Sequence, residues 1–207
     1  MKKFVKNSFI STKFFIKDNT ISIIFITLFT IGMLIGSLAL HFTSTKTDSL
    51  AEILKQYFSE NSSLSIMGLF SRNIVAQFIY LALLYMGGLS AIGYPIIGII
   101  PIVKGIALGT IISYKYVYFG VKGFLYALLM ILPANAILMA VFNFAFVESV
   151  YMSMSVSNGI FNGKPRNIKY NSNFITFTKR YLIFSVSIVF ISILEAVIIS
   201  LFSSVLS

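Results

Sequence analysis

Apolar residues run along this chain in blocks long enough to cross a bilayer, separated by shorter polar stretches. That alternation predicts an all-α, polytopic transmembrane helical bundle. The first block covers about 20–42 and the second about 73–93, with a polar stretch at 43–72 carrying three basic and three acidic residues. The next segment, 93–120, contains Gly93, Pro95, Gly98, Pro101, Gly105, Gly109 and Gly120, a density of breakers that argues against one straight helix. Backbone broken at membrane depth must be enclosed by protein or line a cavity. An apolar run from Gly123 to about Ser157 is too long for a simple crossing, and Pro133 interrupts it. It reads as a short helix ending near Leu132, then a longer one. The stretch 158–180 is polar, with Lys164, Arg166, Lys169, Lys179 and Arg180 and no acid, and leads into a last span at about 181–201.

Charge placement sets the orientation. The tail with Lys2, Lys3, Lys6, Lys13 and Lys17 and the basic loop at 158–180 both belong in the cytoplasm, and the balanced loop at 43–72 belongs outside. Two ends on one side require an even number of crossings between them. Crossings at about 95–114 and 123–146 give five spans in all, with Pro/Gly-broken central helices, the N-terminus cytoplasmic and the C-terminus outside. Ser37-Leu38-Ala39 resembles a signal-peptide cleavage site, but the preceding apolar run is longer than a signal core and is expected to stay as a first span.

Composition agrees: the 207 residues are 57% hydrophobic and 11% charged, which fits one integral membrane domain, 1–207. The net charge of +10 raises the question of nucleic acid, yet the basic residues flank apolar segments as topology signals do, so no nucleic-acid partner is expected. With no cysteine, disulfides and thiolate metal sites are excluded.

The chemistry-bearing residues are few. Lys104 lies near the middle of the apolar stretch 93–114 and Glu195 inside the last span. Charged groups at such depth face a protein interior and mark a function or an essential pair. Their similar depth permits contact, as a structural ion pair or as part of a proton or ion relay. Glu148, near the end of the fourth apolar run, is expected to be solvated. Gly32 and Gly36, then Gly105, Gly109 and Ser113, then Ser192, Ala196 and Ser200, each form four-residue small stripes of the kind that let membrane helices approach closely. Pro133 with Asn135 predicts a kink whose freed carbonyls meet the amide, or a substrate site at a discontinuous helix. In the outer loop, Ser49-Leu50-Ala51-Glu52 is a capping box ahead of apolar residues at helical spacing, a short amphipathic helix for headgroups or an external partner. His41 ends the first span with no metal-binding partner spaced near it. Gly88-Leu89-Ser90-Ala91 faintly resembles a serine protease motif without its last glycine or a later histidine, so catalysis and cofactors are not expected.

The segments Leu89-Ser90-Ala91-Ile92-Gly93-Tyr94-Pro95, Val103-Lys104-Gly105-Ile106-Ala107-Leu108-Gly109, Gly120-Val121-Lys122-Gly123-Phe124 and Ile131-Leu132-Pro133-Ala134-Asn135 occur in that order. Together with the glycines of Ile31-Gly32-Met33-Leu34-Ile35-Gly36, they resemble the stage II sporulation protein M family from about residue 20 to 204. The resemblance implies a non-catalytic membrane component of the engulfment machinery that anchors or localises stage II sporulation proteins D and P, which degrade peptidoglycan. Lys104, Gly105, Gly109, Pro133 and Asn135 are the signature positions it carries over. The competing expectation is a small-solute or ion permease component with a midplane site near Lys104 and Glu195, suggested by the broken helices.

Overall fold

The computed structural model describes residues 19–43, 66–162 and 174–203, and among these every regular element is helical. Helix α1 is Thr20–Thr43, α2 Ile66–Leu89, α3 Tyr94–Tyr126, α4 Leu132–Asn162 and α5 Phe174–Ser203, with a π-helical turn at Ala127–Ile131. All five helices are long and apolar enough to cross a membrane. Helix is the only open-ended backbone form that satisfies its own polar groups in hydrocarbon, so apolar runs of this length have little alternative. The amphipathic helix expected in the outer loop, the Lys164, Arg166 and Lys169 cluster and the His41 side chain lie outside the described residues.

The helix bounds depart from the sequence reading for local reasons. Helix α2 starts before Asn73 and stops at Leu89, short of Gly93, because the chain turns there: the Ser90 N–H donates to the Gly87 carbonyl at 3.2 Å and the Gly93 N–H to the Ser90 carbonyl at 3.3 Å. Pro95 then occupies the first turn of α3, where its missing N–H is not needed. Helix α3 passes through Pro101 with helical backbone, and its one non-helical residue is Gly120, at φ 61° and ψ −144°. There the chain doubles back. Lys115 and Gly123 would be about 12 Å apart on a straight helix, yet a Cβ on Gly123 would sit 2.0 Å from the Lys115 carbonyl oxygen. The rings of Tyr116 and Phe124 are likewise only 6.4 Å apart between centroids. The turn between the central spans is therefore a single left-handed glycine, and the second central crossing begins on its far side.

The π turn ends at Ile131, two residues before Pro133. A wider turn relieves the clash between a proline ring and the carbonyl four residues back. Asn135 then donates from Nδ2 to the Ile131 carbonyl at 2.9 Å.

Helices α1 and α3 run parallel, since Gly32 meets Ile102 and Gly36 meets Ile106. Gly88 of α2 lies against Ser149 of α4 and Phe177 of α5, and Ser153 donates to the Ser90 carbonyl at 2.8 Å. One end of the bundle thus gathers the start of α1, the 90–93 turn, the last turns of α4 and the first of α5. The Gly120 turn and the start of α2 lie at the other. Between them α2, α4 and α5 share a core that includes Leu84, Leu138, Phe142, Phe177 and Ile188. Leu34, Phe144, Leu182 and Phe190 point outward, as lipid-facing residues do.

Candidate functional site

Two structures dominate the interior, and the first is a glycine clasp. A Cβ on Gly32 would lie 2.3 Å from the Ile102 carbonyl oxygen, on Gly36 2.3 Å from that of Ile106, on Gly105 2.2 Å from that of Phe29, and on Gly109 2.2 Å from that of Met33. The stripes that sequence assigned separately to α1 and α3 are therefore two halves of one contact. With no side chains intervening, the backbones approach to the range of Cα–H to carbonyl contacts. Thr110 closes the seam, donating to the Ile106 carbonyl at 2.7 Å and to that of Gly36 at 3.4 Å.

The second is built around Lys104, on the face of α3 turned from lipid and only 6% exposed. Lys104 lies about 15 Å along α3 from Tyr94, too deep for its side chain to reach either surface. Its ammonium donates to the Gln77 side-chain oxygen on α2. It also stands 3.8 Å from the Phe142 ring centroid on α4 and 4.7 Å from that of Tyr80 on α2. A desolvated cation over an aromatic face gains about 2 kcal/mol or more. Glu195, partly buried on α5, lies near enough to Lys104 and Asn135 for their charges and dipoles to act on it, but it is not in ion-pair contact with the ammonium. Lys104 leaves α3 toward α2 and α4, and an amide and two ring faces take the place that the charge count had suggested for the carboxylate.

Of the sequence-derived candidates, the structure sets Lys104 on Gln77 with Glu195 near it, turns the Asn135 amide back onto the Ile131 carbonyl, places Gly105 and Gly109 in the clasp, and leaves Pro133 just past the π turn. The residue that sequence reasoning missed is Gln77. Its signal was present, a lone amide in the apolar run Ile74 to Leu84.

A further polar layer lies at the α4–α5 end. Arg180 pairs with Glu148, whose side chain is 13% exposed, so Glu148 is not solvated as expected. The reason is that α5 begins at Phe174, ahead of Tyr181, and carries Arg180 onto α4. Beside the pair, Ser149 and Tyr181 share a hydrogen bond, and the Tyr181 hydroxyl also donates to the Ala145 carbonyl at 3.1 Å. Tyr85 and Thr178 join α2 to α5 at 3.1 Å. Ser90, the residue of the faint protease likeness, is a turn residue whose hydroxyl oxygen accepts from the Ile92 N–H at 3.3 Å. These side chains are arranged to tie helices to one another.

A family model described as Stage II sporulation protein M matches residues 24–201. No curated protein and no solved structure matches the chain.

Proposed function

Because this chain belongs to the stage II sporulation protein M family, we propose that it is a sporulation membrane scaffold that anchors or localises peptidoglycan-degrading partners during engulfment. In this reading it sits in the bacterial plasma membrane with the N-terminus and 158–180 in the cytoplasm and 43–72 outside. The partners, stage II sporulation proteins D and P, carry the chemistry. The observation that supports it is the use of the interior polar groups: Lys104 with Gln77, Arg180 with Glu148, Ser149 with Tyr181 and Ser153 with the Ser90 carbonyl all join one helix to another or to its turn. Polar groups bonded across helices hold a framework rigid and leave its outer segments to meet partners.

One observation favours a permease component instead, namely the charged Lys104 and Glu195 beside a π turn at membrane depth. The two are separated by one experiment on gently solubilised membranes. Under the scaffold reading a cell-wall hydrolase copurifies with the intact chain and is lost when 43–72 is replaced by a Gly/Ser linker of equal length, while insertion persists. Absence of any hydrolase, together with solute flux in liposomes that Lys104→Ala abolishes, would sink it in favour of the permease.

A further inference from the structure

Lysine and aromatic residues are concentrated where α3 reverses. Between Tyr114 and Tyr126 the chain carries six aromatic residues and two lysines, Lys115 and Lys122, and no acid occurs anywhere between Glu60 and Glu148. The Gly120 reversal folds this segment into a hairpin, with the Lys115 backbone against Gly123 and the Tyr116 ring 6.4 Å from that of Phe124 between centroids. Both lysines therefore flank one turn.

Depth decides what that turn meets. Lys115 lies about 32 Å along α3 from Tyr94 at 1.5 Å per residue, just past the roughly 30 Å thickness of bilayer hydrocarbon. The tip beyond it stands at the level of the headgroups. Nothing lies within 4 Å of a Cβ on Gly120, and Tyr116, Tyr118, Phe119 and Val121 are all exposed, so the tip is left to the surrounding membrane. Tyrosine rings settle at that level, with an apolar body in the lipid and a hydroxyl in water. Lys122 is exposed among them, and Lys115 is half-buried with its ammonium 5.2 Å from the Phe119 ring centroid. The 43–72 stretch, which reaches this end through the start of α2, carries three acids and three basic residues and so brings no surplus negative charge. Anionic headgroups bring one.

We propose that the Gly120 hairpin is a binding site for anionic phospholipid, in which Lys115 and Lys122 hold the headgroup phosphate and the exposed rings of Tyr116, Tyr118 and Phe119 seat the tip at the interface. The site goes beyond the scaffold reading and holds in whichever leaflet the hairpin lies. A basic residue beside an anionic membrane surface strengthens attraction by about fivefold.

The chain has no tryptophan, so Phe119→Trp places a single emitter at the tip of the full-length protein, reconstituted in phosphatidylcholine vesicles. Quenching by acyl-brominated phosphatidylglycerol is compared with quenching by acyl-brominated phosphatidylcholine, and Phe190→Trp, on the lipid-facing side of α5, is the reference. At position 119 the anionic lipid is expected to be preferred by well over fivefold, and at position 190 the two lipids should quench almost equally. Lys122→Gln should cut the preference by about fivefold and Lys115→Gln with Lys122→Gln should abolish it, with helical circular dichroism unchanged. No preference at position 119, or one that equals that at position 190, overturns the site. So does a preference that survives the double substitution. A preference that emerges only after Asp48→Asn, Glu52→Gln and Glu60→Gln also overturns it, because the chain's own carboxylates would then hold the lysines.

Discussion

Gly105→Leu separates α1 from α3 and is expected to be among the most damaging single substitutions in this chain. A Cβ there would meet the Phe29 carbonyl oxygen at 2.2 Å, the Met33 nitrogen at 2.9 Å and the Gly32 Cα at 3.0 Å. All three are backbone atoms, so no rotamer change relieves the clash. Overpacking a fitted interface costs typically about 1–3 kcal/mol, and a contact that only whole-helix movement can relieve belongs at the upper end. Because lipid competes as well as leucine does for apolar surface, a separated pair has no hydrophobic drive to re-form. Gly98→Leu is the matched control, since nothing lies within 4 Å of a Cβ at that position on the same helix. Denaturation in detergent should show Gly105→Leu unfolding well before Gly98→Leu. Equal stability of the two would show that the clasp contributes nothing.

Phe142→Ala is expected to be comparably severe, for two additive reasons. The ring is 1% exposed in the core of α2, α4 and α5, and buried Phe→Ala changes cost about 3–5 kcal/mol through lost packing and the cavity left behind. It is also the face 3.8 Å from the Lys104 ammonium, so its removal strips solvation from a buried charge. Phe144→Ala, two residues along the same helix but 62% exposed, removes the same atoms from a lipid-facing position. A large gap in thermal stability between the two variants is the expected result; similar losses would place the core elsewhere.

These contrasts indicate where sequence stops being informative. The five membrane-length helices were legible from run length taken together with the charge bias of the flanks, and the depth of Lys104 from run length alone. The facing of each helix was not, because a membrane helix is apolar both toward lipid and toward the core, and periodicity loses its meaning. Glu148 illustrates the loss: its depth was readable, but its partner depended on α5 starting early enough to present Arg180. Gln77 is the same case, a polar residue of evident depth whose role required knowing that α3 passes beside it. The glycine stripes were visible as spacings, yet their pairing into one clasp is a property of two helices together. Breakers misled in the opposite direction. Pro101 sits inside continuous helix, while the reversal falls on Gly120, one glycine among thirteen.

The arrangement of helices puts the start of α1, the 90–93 turn and the entry to α5 at one end, and we propose, from the lysine-rich flanks, that this end faces the cytosol. Every statement about which surface meets a partner depends on that orientation. Single cysteines introduced as Ser62→Cys and Asn167→Cys, probed in intact cells with a membrane-impermeant maleimide, test it directly. Position 62 should label at once and position 167 only after the membrane is opened; labelling of position 167 in intact cells would contradict it.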